Sequence, residues 1–120
     1  MAILVVEDEP LVRLSIVDTF EELGLEVVEA SSAEEALGIL AGRELCGVLT
    51  DIELGGGMNG LALAHKMREQ LSDVPIVICS GHVLPLITEL PRDAIFRAKP
   101  LFPDELARIG EEFLNAASKR

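Results

Sequence analysis

The sequence predicts an α/β domain: a doubly wound (βα)5 layer fold built on a parallel sheet. Two observations predict it. Short runs of branched apolar residues alternate along the chain with longer segments of helical period. The runs are apolar at successive positions, as in strands buried on both faces, and right-handed crossovers then place helices on both sides of the sheet.

Each element can be justified in order. Ala2–Val6 is too short for a helix, rich in branched residues and bounded by Glu7-Asp8-Glu9, so it reads as the first strand. From Pro10, the residues Val12, Ile16, Phe20 and Leu23 recur at helical spacing, and Gly24 closes the segment. Leu25–Ala30 is strand-like, with Glu26 and Glu29 marking an edge strand. Ser32 with Glu35 three residues on is a capping-box signature opening a short helix to about Leu40. Leu45–Thr50 is a third strand, Gly55–Gly57 a flexible stretch, and about Gly60 to Leu71 a third helix. Pro75–Cys79 is a fourth buried strand. Val83–Leu90 has room for a helix that Pro85 and Pro91 would make short or irregular. Ala94–Phe96 is a brief fifth strand. Pro103, Asp104 and Glu105 start a last helix with Leu106, Ile109 and Phe113 on one face.

Length and composition narrow the function. The 120 residues allow one compact domain, residues 1–120, and 49% hydrophobic content supplies a core. Tyr and Trp are absent, which leaves little for stacking on single-stranded nucleic acid. The 21 Asp and Glu outnumber 10 Lys and Arg, and a net charge of −11 repels a phosphate backbone. A protein or metal partner is expected, and no nucleic acid. Cys46 and Cys79 lie in apolar runs and read as small buried hydrophobes. Met1–Val6 lacks the basic flank of a signal peptide, and no apolar stretch approaches the roughly 20 residues of a membrane helix. A cytoplasmic location without membrane contact is expected.

In doubly wound folds, ligands bind outside the carboxyl ends of the strands. Those ends carry Glu7 and Asp8, then Asp51, then Ser80, then Lys99-Pro100. Singly, each has a plain explanation: helix-start carboxylates, an Asx turn, turn chemistry before Gly81, a solvated lysine. Together they converge on one edge of a parallel sheet. Three clustered carboxylates disfavour one another's ionisation. Mg²⁺, held by one or two carboxylates, a carbonyl and waters, removes that penalty. With a divalent cation and Lys99, the formal charges of Glu7, Asp8 and Asp51 are cancelled, and a phosphoryl group can approach Asp51.

The chain resembles the receiver domain of bacterial two-component response regulators, in the stand-alone, single-domain form. The resemblance rests on Val5-Val6-Glu7-Asp8-Glu9-Pro10, Leu49-Thr50-Asp51-Ile52, Met58-Asn59-Gly60, Ser80-Gly81 and Phe96-Arg97-Ala98-Lys99-Pro100. It implies a flavodoxin-like three-layer sandwich with strand order 2-1-3-4-5. It implies Asp51 as phosphoacceptor for a sensor histidine kinase or histidine phosphotransfer protein. Asp8, Asp51 and the backbone carbonyl of Glu53 would hold Mg²⁺, with Glu7 acting through water. Lys99 would pair with the phosphoryl oxygens and Ser80 would hydrogen-bond one of them. Phe96 would be the switch aromatic that turns inward as Ser80 moves. Lys99-Pro100 falls where the family carries a cis peptide, and the first helix where it docks the kinase. Output would then pass to an unknown downstream protein, or the domain would act as a phosphate relay or sink. Glu53 and His82 fall where the family tunes phosphoryl lifetime through water access.

The chain departs from the family at Gly55, where a Pro is frequent, and in its proline-broken fourth helix. Three rivals compete. Gly55-x-Gly57-x-x-Gly60 matches a dinucleotide fingerprint, but that motif belongs in the first strand–helix turn, here the repelling Glu7-Asp8-Glu9. Asp51-Ile52-Glu53 loosely fits a phosphatase resembling the haloacid-dehalogenase superfamily, whose nucleophile usually follows the first strand of a larger domain. A degenerate receiver acting as an unphosphorylated interaction module has no need of the intact Asp51, Ser80 and Lys99.

Overall fold

A computed structural model describes residues 1–119; Arg120, the last residue of the expected domain, lies outside the described residues. In chain order the elements are β1 (Ala2–Val6), α1 (Pro10–Glu22), β2 (Val27–Ala30), α2 (Ala33–Leu40), β3 (Leu45–Asp51), α3 (Gly60–Gln70), β4 (Ile76–Ser80), a 3₁₀ turn (Ile87–Glu89), β5 (Ile95–Ala98) and α4 (Pro103–Ser118). The five strands form one parallel sheet in the order β2-β1-β3-β4-β5. The expected sheet is therefore correct, while the fourth of five helices is reduced to a single 3₁₀ turn.

The layers follow from the two-residue period of a strand. Leu4, Val6, Val48, Ile76 and Ile78 face α2 and α3, where Ala33, Ala36, Leu63, Ala64 and Met67 complete a buried cluster. Ile3, Val5, Leu49, Val77 and Cys79 face the opposite way, onto Ile16, Val17 and Phe20 of α1 and Leu106, Ile109 and Phe113 of α4. β1, β3 and β4 are buried throughout, as central strands must be, while β2 and β5 are partly exposed edges. A register shift where β1 meets β3 falls at Ala2/Ile3. Nearby, Gly47 lies under Phe113: a Cβ there would stand 2.2 Å from the ring.

The ends of the elements show where local chemistry acted. Pro10 and Pro103 occupy first turns, where a missing N–H costs nothing. Ser32 accepts from Glu35 N at 3.1 Å, and Glu35 reaches back to Ser31 N at 2.6 Å, one residue before the cap. The second strand is shorter than expected because Leu25 N–H is used by Phe20 O, so pairing starts at Val27. Leu23, placed by its spacing on the apolar stripe of α1, lies past the helix end and is exposed; Leu25 packs into the core instead. The fifth strand begins one residue later than expected and runs to Ala98, its span set by pairing with Val77–Ser80.

The missing helix has a specific cause. Pro85 has no N–H to donate, and Pro91 excludes the helical conformation at Leu90, which is extended at ψ 143°. α3 takes over the bonding: the His65 ring bonds Glu89 O at 2.7 Å, and Arg68 Nε donates to Arg92 O at 2.8 Å. Buried Arg68 also donates to Leu71 O at 2.9 Å and Val74 O at 2.7 Å, closing the turn into β4.

The tight fit of Gly47 under Phe113 gives a test. Gly47→Ala is expected to lower unfolding free energy by about 2–3 kcal/mol, the scale of core overpacking. Urea denaturation measures it, and in a Phe113→Ala background the same substitution should cost close to nothing.

Candidate functional site

Order 2-1-3-4-5 reverses between β1 and β3, and the crevice at such a reversal is where the carboxyl ends present side chains. Glu7 and Asp8 follow β1, Asp51 ends β3, Ser80 ends β4, and Lys99 follows β5. Each of Glu7, Asp8 and Asp51 offers one carboxylate oxygen within 4.8 Å of the others. Lys99 Nζ donates to Glu7 Oε1 at 2.6 Å and to Asp51 Oδ2 at 3.0 Å. Glu7 and Asp51 are buried, at 2% and 5% exposure, whereas Asp8 is exposed. Glu7 Oε2 accepts from Glu9 N at 3.2 Å, and Asp8 Oδ2 accepts from Gly55 N at 3.0 Å. These residues border a cleft of about 830 Å³ that Glu53 and His82 also line. The Lys99-Pro100 peptide is cis.

Burial and charge act against each other here. Burial pushes Glu7 above the usual carboxylate range; the Lys99 bond opposes that shift and the Asp51 charge adds to it. Burial alone would lower Lys99, but its bonds to Glu7 and Asp51 outweigh it and hold the ammonium above its ordinary range. Lys99 therefore stays charged throughout the physiological range. One lysine cannot neutralise three acids, and Asp51 Oδ1 is buried with no hydrogen-bond partner. Such an oxygen carries an uncompensated desolvation cost. An all-oxygen, acid-rich donor set with one unspent buried oxygen fits a hard divalent cation such as Mg²⁺.

Ser80 and Glu53 form a second group beside this one. Ser80 Oγ donates its proton to the Glu53 carboxylate, at 2.8 and 2.7 Å from the two oxygens, and accepts from His82 N at 3.1 Å and Val83 N at 2.9 Å. Phe96 is half-buried and, like Leu90 and Ala94, packs against the core on the α2 and α3 side. The side chain of His82 is exposed at the mouth of the cleft.

Arg13 and the bond between Glu53 and Ser80 were not announced by the sequence, whereas Gly60 was marked there only as part of Met58-Asn59-Gly60. Arg13 Nη1 donates to Glu7 O at 2.8 Å and Nε to Glu29 Oε1 at 3.0 Å, tying the end of β1 to β2. Gly60 passes so close to β3 that a Cβ would stand 1.8 Å from Asp51 O. Its position after Asn59, the cap of α3, was the available signal.

Comparison with known proteins agrees with the fold. Residues 3–90 match the family model of the response regulator receiver domain, a span that includes Glu7, Asp8, Asp51 and Ser80 and stops before Lys99. The chain is 32% identical over 117 residues to the C4-dicarboxylate transport transcriptional regulatory protein DctD of Rhizobium meliloti, covering 92% of this chain and 25% of that one. It spans about a quarter to a third of the length of curated relatives such as this. A response regulator receiver protein from Sinorhizobium medicae superposes with TM-score 0.88 at 30% identity, covering 97% of this chain and 95% of that one. The receiver domain of NtrX from Brucella abortus gives 0.85 at 32%, covering 94% and 98%.

Cys79, next to Ser80, reports how closed this end of the sheet is. Burial pushes its thiol up to about 12 from an ordinary 9.0; Lys99 opposes the shift, and Asp51, Glu7 and Glu53 add to it. A raised thiol stabilises the fold fully below about pH 9, and that contribution is lost as pH rises toward 12. Urea midpoints of wild type should therefore fall more steeply above pH 9 than those of Cys79→Ala. Alkylation by iodoacetamide at mildly alkaline pH should proceed only as fast as the chain opens; the rate of a free thiol would contradict the assignment.

Proposed function

The chain belongs to the response regulator receiver domain family, and from that premise we propose that it is a phosphorylation-dependent switch or relay whose phosphoacceptor is Asp51. Members of this family are signalling domains of two-component systems rather than turnover enzymes. The observation that carries the reading is Asp51 itself: Oδ2 is committed to Lys99, while Oδ1 is buried, unpartnered and beside the cleft.

The proposed reaction needs little acid–base work from side chains, because phosphoryl transfer rests on positioning and charge stabilisation. One oxygen of the Asp51 carboxylate attacks phosphorus in a phosphohistidine or a small phosphodonor, leaving the other for the cation. An O–P bond forms to Asp51. With phosphohistidine the N–P bond breaks and the departing imidazole nitrogen takes a proton from solvent. With phosphoramidate the N–P bond breaks and ammonia departs, and with acetyl phosphate the donor's O–P bond breaks and acetate departs. Lys99, held charged by its two acids, faces the incoming phosphoryl oxygens. Asp8, Asp51 and the backbone carbonyl of Glu53 would hold Mg²⁺, with Glu7 acting through water. The bound ion supplies charge neutralisation at the phosphoryl oxygens. Hydrolysis of the acyl phosphate resets the domain, and Glu53 and His82 at the cleft are placed to govern water access to it.

Signalling would follow from Ser80 and Phe96. When the Ser80 hydroxyl turns to the phosphoryl group, the β4 end and the packing of Phe96 change, and the face offered to partners changes with them. The donor would be a sensor histidine kinase or a histidine phosphotransfer protein, and the recipient a further protein. No helix among the described residues is long and apolar enough to cross a membrane. A basic surface for nucleic acid is likewise not expected at net charge −11.

Incubation with Mg²⁺ and acetyl phosphate or phosphoramidate, followed by intact mass, tests the proposal. One phosphate adduct is expected, absent from Asp51→Asn and suppressed by EDTA. An adduct that survives Asp51→Asn would remove Asp51 from the role. Absence of an adduct with every donor, phosphohistidine included, would favour an unphosphorylated interaction module. Catalytic turnover of a phosphomonoester would favour the phosphatase reading.

A further inference from the structure

We infer that Glu53 is a positioning residue that competes with the phosphoryl group for the Ser80 hydroxyl proton, so that phosphorylation must displace Ser80 from Glu53. The inference rests on the proposed role of Asp51 and deepens it.

A serine hydroxyl has one proton to give and two lone pairs to accept with. At Ser80 all three are committed: the proton to Glu53, the lone pairs to the amides of His82 and Val83. Ser80 is 2% exposed as a residue, so water does not offer its hydroxyl a ready substitute. Both Glu53 oxygens lie within hydrogen-bond distance, so the single proton has two acceptors on the same carboxylate within reach. A carboxylate acceptor makes such a bond stronger than one between neutral groups.

A phosphoryl oxygen at Asp51 can receive the Ser80 proton only by taking it from Glu53. Glu53 is two residues from Asp51, and its half-buried side chain lines the same cleft. Its role is thus distinct from admitting or excluding water: it sets how strongly the unphosphorylated arrangement is favoured. Loss of the carboxylate should free the hydroxyl and tighten binding of a phosphoryl mimic.

Charge repulsion between Glu53 and the mimic would act in the same direction, so the test separates the two. Beryllofluoride, with Mg²⁺, is titrated into wild type, Glu53→Ala, Ser80→Ala and the double variant. Glu53→Ala should tighten binding in wild type by about tenfold more than in the Ser80→Ala background, the factor expected for one charge-assisted hydrogen bond. Glu53→Gln keeps an acceptor oxygen without the charge and should fall between wild type and Glu53→Ala. Equal tightening in both backgrounds, or Glu53→Gln matching Glu53→Ala, would leave only repulsion and overturn the inference. Weaker or unchanged binding in Glu53→Ala would overturn it too. Wild type that binds no beryllofluoride would overturn the Asp51 reading and this inference together, whereas binding with additive effects would overturn the inference alone.

Discussion

The pair of hydrogen bonds that Lys99 donates to Glu7 and Asp51 is the constraint around which the carboxyl edge of the sheet is organised. It joins the ends of three strands, and it is made by residues 92 and 48 positions apart. Two buried carboxylates would otherwise face each other without compensation, a cost that breaking one partner of a buried pair exposes. The remaining elements serve this contact. Arg13 fixes the end of β1, Gly60 lets α3 start against the Asp51 carbonyl, and β5 extends to Ala98 to deliver the lysine.

The arrangement is deliberately incomplete. A third acid, Asp8, lies exposed at the same place, and one Asp51 oxygen is left without a partner in a buried setting. A fully satisfied network would rigidify the edge and leave nothing for chemistry. Here the unmet electrostatic demand coincides with the cleft, in a chain that belongs to the receiver domain family.

Much of this was legible from residues in sequence order, for a physical reason. Pro10, the Ser32–Glu35 pair and Pro103 act on backbone a few positions away, so their effect reads locally. The central strands read clearly because burial on both faces keeps the runs apolar until Thr50, Asp51 and Ser80 at their carboxyl ends. The convergence of Glu7, Asp8, Asp51 and Lys99 was legible once the sheet was taken as parallel, since topology then dictates that strand ends meet. What could not be read depends on partners brought together only by folding. The end of β2 turned on Leu25 bonding back to Phe20, the span of β5 on its pairing with β4, and the Ser80–Glu53 bond on a contact across 27 positions. Gly47 showed no sign of the Phe113 ring that requires it.

The reduced fourth helix has a mechanical meaning. A helix carries its own hydrogen bonds and keeps its shape when one end moves. The segment after β4 is instead a cord knotted at two points, by the Ser80 hydroxyl at its start and by His65 and Arg68 near its end. Between the knots, Val83, Leu84, Leu86 and Ile87 stand exposed. Slackening the first knot would loosen the path of these side chains, while the bonds from α3 would still hold the far end. The exposed face there is therefore set by groups outside it, the buried Ser80 and Arg68 and the exposed His65, and would be redrawn by their bonds without a change in its own residues.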